Sequence, residues 1–209
     1  ESLNIYKFIT HVNKKYSLQF SCYEEIYQWS INNLSKFWNE IFHFMNIKYS
    51  KPFRFVLKES NKIEKSKWFY GLKFNFAENL LRYKNDNIAI IFQSEDKIKR
   101  RITFNQLYNK VSKVSKFFEN INIQKNDKIA AILPNIPEAI ISMLGAASKG
   151  VIWSSTSPDF GVDAILDRFS QIKPKILFVC PEYYYKGKKF NIVDKINIIV
   201  KSLPSLKQV

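Results

Sequence analysis

The stretch 152–161, "IWSSTSPDFG", gathers four hydroxyls, an acid and a glycine within ten residues. Hydroxyls and backbone amides in such a run could cradle a phosphate, and its Asp-Phe-Gly spells the metal-binding tripeptide of protein kinases. A third reading is a buried strand that ends in a turn. A phosphate loop needs glycines, so that the backbone can wrap the oxygens, and a lysine to reach them. The five glycines of the chain, Gly71, Gly145, Gly150, Gly161 and Gly187, form neither the dinucleotide nor the P-loop spacing. A kinase would add a glycine-rich loop, a strand lysine and an H-R-D loop, and the sequence has none of these. The strand-end reading is left standing.

The other reactive side chains are no more convergent. Asp159, Asp163 and Asp167 recur every four residues at a predicted helix start, where the helix dipole favours acids without any ligand. His11 and His43 have no cysteine or paired carboxylate at metal-ligand spacing, and no nucleophile in a strand-end turn. Cys22 and Cys180 lie far apart and suggest no disulfide framework. Spacing alone yields no catalytic residue and no metal site.

The bulk numbers narrow the class. A chain of 209 residues, 46% hydrophobic with 18 Phe and 11 Tyr, has the apolar material for one ordinary domain or two small ones. Its formal charge of +15 invites a nucleic-acid partner. The lysines, however, are scattered through every segment rather than gathered in a stripe, which favours a compositional bias over a nucleic-acid footprint. The longest apolar run, "AIISMLGAAS", is too short to span a bilayer. No signal peptide opens the chain, so the expectation is a cytoplasmic protein without membrane partners. The absence of a starting Met suggests a missing beginning.

The elements that would position a site fall into two styles. Residues 1–50 read as helices, with Ser21 and Glu24 as a capping box and an aromatic stripe of Leu34, Phe37, Trp38, Ile41 and Met45 that predicts a docking face. Residues 51–67 read as a connector with one short strand, "FRFVL". Asn75 with Glu78 caps a short helix, and "NIAIIFQS" and "KRRITF" form a hairpin around "EDKIK". Thr103 with Gln106 opens a helix whose inner face carries Leu107, Val111, Val114 and Phe118. From Lys128 the rhythm becomes strand and helix in alternation: "KIAAIL", a helix from Pro137 stopped at Gly150, "VIWSS", a helix "VDAILDRFSQI", then "KILFV". Alternation of this kind means βαβ units and a parallel sheet. Tyr183, Tyr184 and Tyr185 read as a loop, followed by a helix near Ile192–Lys201. The closing "SLPSLKQV" stands where another strand is due, so the sheet reads as truncated.

These residues resemble a known family. "DKIAAILPNIPEAIISMLGAASKGVIWSSTSPDFGVDAILDRFSQIKPKILF" is similar to the early core of the adenylate-forming acyl-CoA synthetases. "KWFYGLKFNFAENLL" and "YQWSINNLSKFWNEIFHF" resemble the segments that precede that core. The combination of "FAENLL", "LPNIPEA" and "WSSTSPDFGV" points within that family to its acetoacetyl-CoA synthetase group, with the acetyl- and propionyl-CoA synthetases as alternative. The resemblance implies a ligase that joins a short acyl carboxylate such as acetoacetate to CoA through an acyl-adenylate, using ATP and Mg²⁺. It also implies that the phosphate loop, the Mg²⁺ acid and the catalytic lysine lie downstream, in a C-terminal remainder that this chain lacks. The chain alone is then expected to be inactive and to bind none of these cofactors well. One carry-over reaches this sequence: the W-F-x-G stretch of the CoA site is Trp68, Phe69, Tyr70 and Gly71 here, making Phe69 and Gly71 candidate CoA contacts. An aromatic anchor between helical segment and core is the competing role for the same residues. The expected fold is α/β: a helical region at 1–60, then an incomplete, truncated parallel-sheet layer of an AMP-binding domain at 61–209. A basic, non-enzymatic binding module is the alternative of another class.

Overall fold

A computed structural model describes residues 3–95 and 97–209. The chain divides into two compact units, Glu1–Phe74 and Asn75–Val209.

The first unit is built on three helices, α1 (Asn4–Tyr16), α2 (Tyr23–Asn32) and α3 (Leu34–Phe44). Phe8, Ile9 and Val12 of α1 bury against Ile26 of α2 and against Phe37, Ile41 and Phe44 of α3. The aromatic stripe is therefore divided between two tasks. Phe37 and Ile41, on one side of it, enter this core, while Leu34, Trp38 and Met45, on the other, stay exposed. The cap of α2 sits one residue later than the Ser21–Glu24 pairing. Glu25 accepts from the backbone N–H of Ser21 and of Cys22, and from the Ser21 hydroxyl, because the first helical residue is Tyr23. After the helices, β1 (Phe55–Lys58) pairs antiparallel with β2 (Lys67–Tyr70), so the unit continues past residue 60.

The second unit opens with α4 (Phe76–Leu80), whose cap does double duty. The Asn75 side-chain oxygen accepts from the Glu78 N–H, and its Nδ2 donates to the carbonyls of Ala147 and Ser148. An antiparallel pair, β3 (Ile88–Gln93) and β4 (Lys99–Thr103), leads into α5 (Phe104–Asn120) through the Thr103–Gln106 capping box. Then β5 (Lys128–Ile132), α6 (Pro137–Ser148), β6 (Ile152–Thr156), α7 (Val162–Ile172) and β7 (Ile176–Val179) follow as the alternation predicts. The sheet order is β6-β5-β7, all parallel, with β5 central.

Burial explains why β5 reads as continuous apolar sequence. Ile129 to Ile132 are wholly buried, with Ile129 packing toward Phe118 and Ala146, and Ala130 and Ile132 toward Ile165, Phe169 and Leu177. Fully burying Phe118 and Phe169 stabilises by about 2–3 kcal/mol each. Gly150 takes φ +67 one residue beyond the C-cap of α6, the left-handed stop its position predicts. At the far side of β7, Gln208 forms a parallel bridge to Ile176, so pairing has begun where the alternation calls for a strand.

One local reading is overturned. Tyr183–Tyr185 is not a loop but part of β8 (Glu182–Tyr185), which forms a hairpin with β9 (Lys188–Asn191) before α8 (Val193–Ser202). Lys186 and Gly187 between them both have positive φ, the two-residue turn whose twist matches flanking strands.

Candidate functional site

Open parallel sheets bind ligands beyond the C-terminal ends of their strands, and three turns meet there. The hydroxyl run lies along β6, with only Ser157 in the turn that follows it. Its Ser157 Oγ donates to Asp159 at 2.8 Å, Pro158 is fully buried, and Lys195 of α8 donates to the carbonyls of Pro158 at 2.8 Å and Phe160 at 3.0 Å. The Arg168 guanidinium lies 4.8 Å from the centre of the Phe160 ring. Hydrogen bonds from the Tyr183 hydroxyl and from Ser157 hold the Asp159 carboxyl below its ordinary range. In return, burial and the Asp159 contact push Tyr183 up to about 12. Ser157, Asp159 and the carbonyls of Pro158 and Phe160 are thus consumed in fixing the turn, while the buried Thr156 Oγ1 at the end of β6 has no hydrogen-bond partner among the described residues; the strand-end reading of "WSSTSPDFG" holds. Lys195→Met, which keeps the stem and removes both donors, is expected to cost about 1.5–3 kcal/mol in urea unfolding. A cost near zero would mean that the turn is held without Lys195.

Asp163 and Asp167 stay exposed on α7, and among the described residues no group of three His, Cys, Asp or Glu side chains converges on a metal position. His11 contacts Glu40 and His43 contacts the Asn39 carbonyl, both within the helical unit. Cys22 and Cys180 are unpaired thiols.

The turns after β5 and β7 border a cleft of about 630 Å³. Pro134 and Ile136 supply one apolar wall, and Tyr183 and Tyr184 the other. The β3–β4 hairpin closes a third side through Phe92 and Arg100. Arg100 is fixed by a two-pronged pair to Glu138, at 2.6 and 2.9 Å, and by the Phe92 ring at 4.9 Å. The carboxylate raises the Arg100 pKa, and the guanidinium lowers that of Glu138. The tips of the two hairpins are joined where Glu95 accepts from the Gly187 N–H at 2.8 Å.

The two candidate CoA contacts lie in the other unit. Phe69 is half-buried, its ring 5.5 Å from Phe42 and 5.3 Å from Phe53, with φ +41. Its neighbours Trp68 and Tyr70 project from the opposite face of β2 and are exposed. Gly71 has φ +89, and a Cβ there would meet only the Arg54 Cγ at 3.8 Å, so its surroundings are open. Phe69 packs inward from β2, while Gly71, in the turn just past the strand, borders open space.

The family model for the AMP-binding enzyme matches residues 76–209. The chain belongs to the AMP-binding enzyme family. A second model, the acetyl-coenzyme A synthetase N-terminus, matches residues 23–80, from α2 and α3 through the β1–β2 pair to α4. Among AMP-binding relatives, the acetoacetyl-CoA synthetase of Danio rerio is 39% identical over 97% of this chain, which covers 31% of that protein. That of Rhizobium meliloti (strain 1021) is 36% identical over 94% of the chain and 30% of the relative. The solved acetoacetyl-CoA synthetase from Streptomyces lividans superposes with a TM-score of 0.90 at 28% identity, over 96% of this chain and 32% of that one. The chain therefore spans about a third of the length of the relatives it matches.

Sequence reading missed the cleft entirely. Its walls come from segments far apart in sequence, and only the glycine of the "YKGKK" turn carried a local signal for one of them.

Proposed function

We propose that this chain is the N-terminal part of an AMP-forming acetoacetate–CoA ligase. The observation that carries the reading is similarity to acetoacetyl-CoA synthetases over nearly the whole chain, through both units. In that reaction a carboxylate oxygen of acetoacetate attacks the α-phosphorus of ATP and pyrophosphate leaves. The CoA thiol then attacks the acyl carbonyl and AMP leaves. ATP, CoA and Mg²⁺ would be the cofactors of the complete enzyme. No residue of this chain is assigned to Mg²⁺ or to the triphosphate.

The open space beside Gly71 suits close approach of a CoA nucleotide to the backbone, with Phe69 holding the strand in place from inside. The two unpaired thiols accord with a reducing, cytoplasmic setting. Exchange of labelled pyrophosphate into ATP tests the reading. A full-length protein containing this chain should exchange with acetoacetate at least about tenfold faster than with acetate or propionate, the order of discrimination a pocket achieves for one small group. Purified 1–209 should show no exchange. Preference for acetate would move the assignment to the acetyl-CoA synthetases, and exchange by 1–209 alone would refute the division of labour.

A further inference from the structure

A second depression in the sheet unit, of about 500 Å³, lies between β4 and the first turns of α5 and shares Arg100 with the cleft at the strand ends. Buried Ile102 is its floor, and Arg101, Gln106, Asn109, Lys110 and Lys113 are its walls. Lys110 and Lys113 are one helical turn apart and share a face of α5. Elsewhere in this unit, lysines near acids form pairs, as Lys175 does with Asp127 and Lys189 with Glu182. Among the described residues, Arg101, Lys110 and Lys113 have no such partner. The nearby carboxylate, Glu138, is already taken by both prongs of Arg100. Three positive charges are thereby left around one apolar floor.

The neutral side chains add donors. Gln106 spends its oxygen on the Thr103 N–H in the capping box, which leaves its Nε2 hydrogens free to donate. Asn109 brings a second amide. A guanidinium, two ammonium groups and two amides form a set of donors with a charge of about +3, complementary to multiply charged oxyanions, among which a phosphate group gathers close to two charges and three acceptor oxygens at one point.

We propose that this groove binds the phosphate groups of a phosphorylated small molecule. Arg101 grips the oxygens in its planar fork, Lys110 and Lys113 supply charge, and Gln106 and Asn109 fix orientation. The site stands on the groove alone and does not depend on the ligase reading.

Inorganic pyrophosphate, titrated into the chain while the backbone amides are followed by NMR, is the test. Saturable one-to-one binding is expected, with shifts confined to residues 99–113. The triple variant Arg101→Ala, Lys110→Ala, Lys113→Ala should weaken it about tenfold or more, because each lost charge-assisted contact contributes over about 1 kcal/mol. A control that removes as much charge elsewhere, Lys7→Ala, Lys62→Ala, Lys65→Ala, should leave the affinity within about twofold. Equal loss in both variants, or shifts spread over every lysine, would reduce the groove to a share of the net charge. Tighter binding of a single-stranded oligonucleotide than of pyrophosphate, dependent on both lysine sets, would overturn the small-molecule assignment in favour of an extended polyanion.

Discussion

Replacing Glu40 with alanine is expected to destabilise the helical unit by about 3 kcal/mol, the lower end of the cost of breaking a buried ion pair. The Glu40 side chain is wholly inaccessible, yet it remains charged. Burial opposes that charge. Hydrogen bonds from Lys15 at 2.8 and 2.9 Å, His11 at 2.9 Å, Asn39 at 3.0 Å and the Tyr16 hydroxyl at 2.9 Å outweigh the burial and hold the pKa at about 2. The same contact, added to its own burial, pushes Tyr16 to about 12. One carboxylate on α3 thus gathers three side chains of α1, and its removal strands them.

The sign of the pH dependence follows from the depressed value. Stability from Glu40 is fully present above its unfolded pKa near 4.5, and is lost as the pH falls from there toward 2. Urea unfolding followed by tryptophan fluorescence reads this directly, since Trp29 lies 5.4 Å from Tyr16 and Trp38 and Trp68 share the unit. Glu40→Gln, which keeps the shape and one acceptor, should lose less stability than Glu40→Ala and should flatten the acid limb. A Glu40→Gln profile that still falls between pH 4.5 and 2 as the parent does would assign that limb to other carboxylates.

The second large effect is expected at Gly145. A Cβ at this position of α6 would stand 2.5 Å from the Val114 Cγ1 and 2.9 Å from its Cβ. Valine is stiff about χ1, and Val114 belongs to the packed surface between α5 and α6, so the clash cannot be relieved by a rotamer change. Helix propensity alone would favour Gly145→Ala by about 1 kcal/mol. Overpacking costs about 1–3 kcal/mol, so the net change is expected to be destabilising, and larger for Gly145→Val. Combining Gly145→Ala with Val114→Ala should restore most of the loss, because the new methyl fills the space the valine vacates. A double-mutant cycle with no favourable coupling would show that the helices separate instead of colliding.

Where the chain's local chemistry and its tertiary structure agree, the elements were legible in advance. The Thr103–Gln106 and Asn75–Glu78 caps, Pro137 at the head of α6 and Gly150 behind it each satisfy backbone groups within a few residues, and each stands as expected. Continuous apolar runs in β5 and β7 likewise signalled strands buried on both faces. Two kinds of feature were not legible. The cap of α2 slid by one residue because Glu24 and Glu25 are adjacent and the sequence does not distinguish them. The strand "FRFVL" was legible as β1, but its partner β2 and the β8–β9 ribbon are short and rich in lysine and aromatic residues, so they do not show the period-two alternation that marks a half-buried strand.

The site was harder still. Arg100 and Glu138 are separated by 38 residues, and Glu95 and Gly187 by 92, so no local pattern announces that they meet. Phe69 and Gly71 are candidates by resemblance alone, since nothing in the spacing of "KWFYG" points to a ligand.

The central position of β5 also sets a timetable for synthesis. Ile129 finds its two strand partners only in Trp153 and then Ile176, both later in the chain. At a translation rate of about 5–20 residues per second, an apolar strand waits on the order of two to ten seconds for its second neighbour. The three helices of the first unit close their core over shorter separations and are complete before that wait begins. The nascent chain therefore carries a folded helical unit ahead of an unfinished sheet with its apolar central strand unpaired, and that interval is when a chaperone has most to protect.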